Sequence, residues 1–164
     1  MSASSEAPPS LEASLVQRLT ELGWTLAVAE SCTGGMVAAR VTAVAGASAA
    51  FQGGVIAYHN DVKREVLCVP ADVLQAAGAV STETALAMAQ GARRLLHASL
   101  AAAVTGIAGP GGGSDAKPIG LVYIAVSGPC GECVARFLFE GDRDAIRTQA
   151  AEAMLRKLIA ACRT

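Results

Sequence analysis

The chain has 164 residues, with 13 Lys and Arg against 14 Asp and Glu, giving a formal charge of −1. Its basic residues are scattered singly, which leaves no electrostatic footprint for nucleic acid or for an anionic membrane surface. Such a length suits one domain able to bury roughly two thirds of the surface its unfolded chain exposes, and a composition 52% hydrophobic but only 4% aromatic points to close helix packing or a buried subunit interface.

From Met1 to Ser10 the chain is polar, with two prolines, and lacks the basic-then-apolar layout of a secretory signal. Residues 1–9 are therefore expected to be a flexible tail, and residues 10–164 one domain. No apolar stretch approaches the roughly 18 residues that a membrane span needs, so a cytoplasmic protein is expected. Leu11, Leu15, Leu19 and Leu22 share one face at helical spacing, with Ser10 as N-cap and Gly23 as terminator. Thr25 to Glu30 is a short apolar strand, followed by a turn with two glycines and a helix over Met36 to Val44. Val55 to Tyr58 is β-prone. Short helices follow over Asp61 to Leu67 and Pro70 to Ala77, and Ser81 caps a longer one to about His97.

Strands are then predicted over Leu100 to Val104, Ile119 to Ser127 and Cys133 to Phe139, the last two pairing as a hairpin. Asp142 caps a final helix to about Cys162. Elements alternate early and strands run together late, which predicts an α/β fold: a three-layer-like sandwich with a mixed β-sheet flanked by helices. Five cysteines without an even framework exclude a disulfide scaffold. Cys130 and Cys133 form a C-x-x-C in the hairpin turn and lack the second ligand pair that a zinc site requires.

Three segments could carry chemistry. In Glu30-Ser31-Cys32-Thr33-Gly34-Gly35 a strand end meets a helix start, where free N–H groups and the positive end of the helix dipole converge. Ser31 there is a candidate nucleophile, Cys32 a rival one, and Ser31 or Thr33 is alternatively a plain N-cap. In Tyr58-His59-Asn60-Asp61-Val62-Lys63, Lys63 is either a solvated helix residue or a base for Ser31. The second role requires its pKa to fall from about 10.4 towards neutrality, as burial and a neighbouring cation can arrange. His59 and His97 stand far apart without carboxylate pairs and are read as structural. The run Thr105-Gly106-Ile107-Ala108-Gly109-Pro110-Gly111-Gly112-Gly113-Ser114 fits neither the dinucleotide fingerprint nor the P-loop. Its glycines mean either close backbone approach to a ligand or a flexible crossover.

Taken in order, Ala29 to Gly35, the Tyr58-x-Asn60-x-x-Lys63 spacing, Gly106-Ile107-Ala108-Gly109-Pro110, Lys117-Pro118-x-Gly120 and Gly141-Asp142-Arg143 resemble the CinA C-terminal domain family, the nicotinamide-nucleotide amidohydrolases. The resemblance covers about residues 10 to 162. It implies hydrolysis of nicotinamide mononucleotide to nicotinic acid mononucleotide and ammonia, with Ser31 as nucleophile, Lys63 as its base and Tyr58 nearby. It further implies substrate contacts from Thr33, Gly34, Gly35, Ser48, Gln52, Asn60, Thr105, Gly106, Gly109 and Arg147. No cofactor or metal is expected.

In this scheme the N–H groups from Thr33 to Gly35 hold the oxyanion, and a glycine-rich loop with Arg147 meets the phosphate. The expected partners are a small-molecule nucleotide and further copies of the chain, since so apolar a small chain would otherwise expose sizeable patches. The alternative is a module of the same fold that binds nucleotide without turnover.

Overall fold

The computed structural model describes residues 8–163, so most of the tail expected over residues 1–9 lies outside it. The first helix, α1 (Leu11–Leu22), starts where the Ser10 hydroxyl accepts the Ala13 N–H and stops at Gly23 in the left-handed conformation. The strand β1 (Leu26–Glu30) leads to α2 (Met36–Thr42), and a 3₁₀ turn, Ala47–Ala49, leads to β2 (Phe51–Ile56). Next come α3 (Asn60–Glu65), α4 (Ala71–Ala76) and α5 (Thr82–Leu95), the last with the Ser81 side chain accepting from the Thr84 N–H. The chain closes with β3 (Leu100–Gly106), β4 (Leu121–Gly128), β5 (Gly131–Leu138) and α6 (Arg143–Ala161), capped by Asp142.

The expected fold class is what the structure shows, a mixed five-stranded sheet flanked by helices. Its strand order is β2-β1-β3-β4-β5, with β1 parallel to β2 and β3, β4 antiparallel to β3, and β5 antiparallel to β4. One expectation is corrected. The strand read over Val55 to Tyr58 lies earlier, at Phe51–Ile56, because Gly53 and Gly54 weaken its local β signal while pairing with β1 supplies the order. The helix expected to run to Val44 ends at Thr42, and the expected hairpin forms with Gly128 opposite Gly131.

The two faces of the sheet differ in size of side chain. Leu26, Val28, Leu100, Val104, Val122, Ile124 and Val126 face α1, α2 and α6. Ala27, Ala29, Ala101, Ala103 and Ala125 face the other way, towards Ala85, Met88, Ala89 and Ala92 of α5. This alternation is the period-two pattern of strands, and the alanine face lets α5 settle close against the sheet. The sparse aromatic content therefore has a packing cause. On α5, Gly91 marks a close approach to the segment that follows α3, since a Cβ there would fall 2.0 Å from the Leu67 carbonyl oxygen.

Gly91→Ala tests that closeness directly. On an open helix surface the change would stabilise by about 1 kcal/mol. Here it is expected to destabilise by about 1–3 kcal/mol through overpacking, read as a lower midpoint in urea denaturation.

Candidate active site

The site forms beyond the carboxyl end of β1, where the chain turns into α2. Gly34 and Gly35 both take positive φ, +62° and +102°, and so permit a corner that side chains with Cβ atoms rarely adopt. This reversal folds the start of α2 over the end of β1. Glu30, 1% exposed, fills the junction. Its carboxylate accepts the N–H groups of Gly35 (3.0 Å), Val37 (3.1 Å) and Ala38 (2.8 Å) and the Thr33 hydroxyl (2.6 Å). The helix start is thus capped by a carboxylate from the preceding strand rather than by Ser31 or Thr33, and the positive end of α2 already holds its anion.

Ser31 is held next to this cap, its N–H donating to Val104 O on β3. Opposite stands Lys63 of α3, 1% exposed. Its Nζ lies 2.7 Å from Ala57 O, 3.1 Å from Tyr58 O and 3.1 Å from Ser31 Oγ. Burial holds the Lys63 amine below the ordinary lysine range, and no carboxylate forms an ion pair with it among the described residues. A neutral amine has two N–H bonds and one lone pair. Protonated, Lys63 donates to all three oxygens; in the neutral form the two carbonyls would take the hydrogens and the lone pair would face the Ser31 hydroxyl.

Cys32, the rival nucleophile, is buried, and desolvation pushes its thiol up to about 11. At neutral pH it is a protonated thiol and so a poor nucleophile.

Ser31, Cys32, Tyr58, Lys63, Thr105 and Gly106 line one cavity of about 210 Å³, together with Ala79, Val80, Ala108 and Arg143. Other residues named from the sequence lie elsewhere or are engaged. Asn60 is exposed at the start of α3. The Thr33 hydroxyl is bonded to Glu30, and the Thr105 hydroxyl donates to Ala79 O at 2.8 Å, fixing the cavity wall. The Gly34 N–H donates to Ser31 O and the Gly35 N–H to Glu30, so neither is free for an oxyanion. The N–H groups of Cys32 and Thr33 have no acceptor in another residue among those described. Gly109 supplies its carbonyl to Arg143.

Arg147 clamps the turn, donating to Cys32 O and Thr33 O at 3.1 Å each. Ser48 and Gln52 are not brought to this cavity. They lie by the start of β2, whose Phe51 pairs with Leu26 at the far end of β1, roughly 15 Å away by strand rise.

Sequence reasoning assigned no role to Glu30, to Arg143 or to Lys117, whose Nζ donates to Ala77 O at 2.6 Å beside the cavity wall. The one signal for Glu30 was a carboxylate closing an otherwise apolar strand. His59 is structural: its Nδ1 caps α3, accepting the Asp61 N–H. Among the described residues no cluster of three or more His, Cys, Asp or Glu is placed to hold a metal ion, and no helix is long and apolar enough to cross a membrane.

Fold and site together define an α/β domain with a buried hydroxyl–amine pair at the carboxyl end of a parallel strand. The chain belongs to the CinA C-terminal domain family, whose model matches residues 9–162. It is 50% identical over 143 residues to a CinA-like protein of Geobacter sulfurreducens, covering 87% of this chain and 35% of that protein. With a CinA-like protein of Anaeromyxobacter dehalogenans it shares 53% identity over 150 residues, covering 91% and 36%. The chain thus spans about a third of the curated relatives it matches.

Among solved structures, the competence/damage inducible protein CihA from Agrobacterium tumefaciens superposes with a TM-score of 0.89 at 41% identity, covering 96% of this chain and 99% of that one. A CinA superfamily protein from Escherichia coli gives 0.90 at 30% identity, covering 98% and 94%.

The burial of Lys63 has a signature in stability. Its folded pKa lies below the unfolded value, so protons are lost from the folded state first, and stability rises with pH between the folded and the unfolded pKa. Below that window the buried charge costs stability in full. Lys63→Met is expected to abolish this term, so that parent minus variant stability increases with pH across the window. Urea denaturation of both proteins over an alkaline pH series measures it, and parallel curves would contradict the burial effect.

Proposed function

We propose that the chain is an amidohydrolase acting on nicotinamide mononucleotide, with Ser31 as nucleophile and Lys63 as general base. The observation that carries this reading is the 3.1 Å approach of Lys63 Nζ to Ser31 Oγ, with two backbone carbonyls holding the other valences of the amine. Ser31 Oγ attacks the carboxamide carbon and its proton passes to Nζ. The negative charge gained by the carbonyl oxygen is assigned to the N–H groups of Cys32 and Thr33, which donate to no other residue among those described. Lys63 returns the proton to the amide nitrogen, the C–N bond breaks and ammonia leaves. Water then attacks the Ser31 ester, giving up a proton to Lys63, and the carboxylic acid departs as Oγ recovers its hydrogen.

The substrate pyridinium supports this division of labour. A ring cation close to Lys63 disfavours a second positive charge, keeping the amine neutral for the first step. The reading includes residues 10–164 as one catalytic domain, a cytoplasmic setting, no cofactor, and association of identical copies. Ile56 and Tyr58, 56% and 60% exposed near the site, are large apolar side chains that association would cover. Light scattering at micromolar concentration is expected to give more than one chain per particle, and a monomer would count against association.

Ammonia release from nicotinamide mononucleotide tests the activity. Ser31→Ala is expected to remove all but a small residue of kcat, and retention of more than about a tenth would exclude Ser31 as nucleophile. Lys63→Arg is expected to be as damaging as Lys63→Ala, because guanidinium keeps its proton at any working pH. The parent kcat/KM should rise with pH through an apparent pKa below that of a free lysine. Near-parental turnover by the arginine variant would refute the base assignment, and tight binding by the parent without ammonia release would identify a binding module instead.

A further inference from the structure

We propose that Cys130 and Cys162 are a modification site for hydroperoxides, closing to a reversible disulfide that joins the β4–β5 turn to the end of α6. The proposal is independent of the amidohydrolase reading and concerns the opposite end of the sheet. Gly128 and Gly131 face each other at the tip of the hairpin, and neither carries a side chain to fill the space beneath the last turn of α6. A cavity of about 240 Å³ results, with Leu100, Cys130, Cys133, Ala160, Ala161 and Arg163 in its lining.

Two thiols approach this cavity from different elements. Cys130 is exposed in the turn, and its Sγ donates to Arg163 O at 3.3 Å. Arg163 directly follows Cys162, the residue at the C-terminal cap of α6. Cys162 is buried, and desolvation pushes its thiol up, against the pull of Arg18 and with a further push from Cys130. The contact and this influence single out Cys130, rather than Cys133 on β5, as the partner of Cys162. Among the described residues no three His, Cys, Asp or Glu are placed to share a metal ion, which leaves sulfur–sulfur chemistry for the close pair. A disulfide needs its two Cα atoms within about 7 Å. The Cys162 N–H is held by Leu158 O and Ile159 O, in the last turn of α6, and the end of a helix opens at little cost. That turn is the element that brings the two sulfurs together.

The exposed sulfur reacts first. Cys130, as thiolate, attacks a hydroperoxide oxygen; an S–O bond forms, the O–O bond breaks, and the peroxide is reduced to water or an alcohol. The Cys162 sulfur then attacks the resulting sulfenic acid. An S–S bond replaces the S–O bond, and the expelled hydroxide takes the Cys162 proton and leaves as water. A dithiol reverses the change by two exchanges, regenerating both thiols and becoming a disulfide itself.

The test is a titration of free thiols in the folded protein before and after one equivalent of hydrogen peroxide, with peptide mapping of the product. Of the five thiols, two should be lost, the map should join Cys130 to Cys162 within one chain, and dithiothreitol should restore both. Cys130→Ser and Cys162→Ala should each prevent the loss, whereas Cys133→Ser should leave it intact. Cys162 is buried in the core, so if its variant does not fold, Cys130→Ser in the exposed turn decides the matter alone.

In urea the preference for this pair should vanish, because the fold brings the two thiols together. The same pairing at the same rate in urea would overturn the proposal. So would a map joining Cys130 to Cys133 or linking two chains, and so would oxidation of Cys130 that dithiothreitol does not reverse.

Discussion

The buried carboxylate of Glu30 is the contact on which the geometry of the site depends. It ends β1, yet its oxygens accept three N–H groups from the start of α2 and its nearest turn, together with the Thr33 hydroxyl. A charge excluded from water is costly unless such donors surround it, so strand and helix are obliged to meet at one distance and one angle. Ser31 is the next residue, and its position follows from that junction. Arg147 closes the turn from the opposite side through Cys32 O and Thr33 O, tying it to α6. The corner is therefore fixed by two long-range polar contacts and by two glycines with positive φ, not by packing alone.

The same junction determines which backbone groups are available for chemistry. A helix start preceded by a glycine pair is ordinarily an open anion site. In this chain the anion is internal, and the N–H groups that donate to no other residue among those described are those of Cys32 and Thr33, further back along the turn. Lys63 is positioned with equal economy. The segment leaving β2 presents two carbonyls to its amine, and with no carboxylate partner among the described residues desolvation is the chief influence on its proton.

Much of this architecture was legible in the sequence because local signals and tertiary demands agreed. Ser10, Ser81 and Asp142 mark helix starts by side-chain chemistry and Gly23 marks a helix end by its backbone freedom, and each lies at a helix terminus in the structure. The strand β2 was misplaced because its order comes from pairing with β1, which no local pattern across Gly53 and Gly54 announces. At the site, the meeting of Ser31 with Lys63 across three separate elements was suggested by family resemblance and could not have been derived from spacing. Glu30 and Arg143 stood in plain sight as ionisable residues, but the role of each depends on partners distant in the chain or contributed by another element. Ser48 and Gln52 show the converse, since the resemblance implied contacts from them and the structure does not bring them to the cavity.

The solitary amine of Lys63 also bears on how this domain can change over generations. A protein under selection for heat resistance gains readily from pairing a buried cation. Cys32, which lines the same cavity as Lys63, is an obvious place for an acid to arise. An aspartate there would give the lysine a counterion and hold its proton in place, so under the proposed mechanism the more durable descendant would be the one deprived of its base. On that mechanism durability and turnover are opposed at a single pair of side chains, and a lineage that keeps the chemistry must seek robustness elsewhere in the fold.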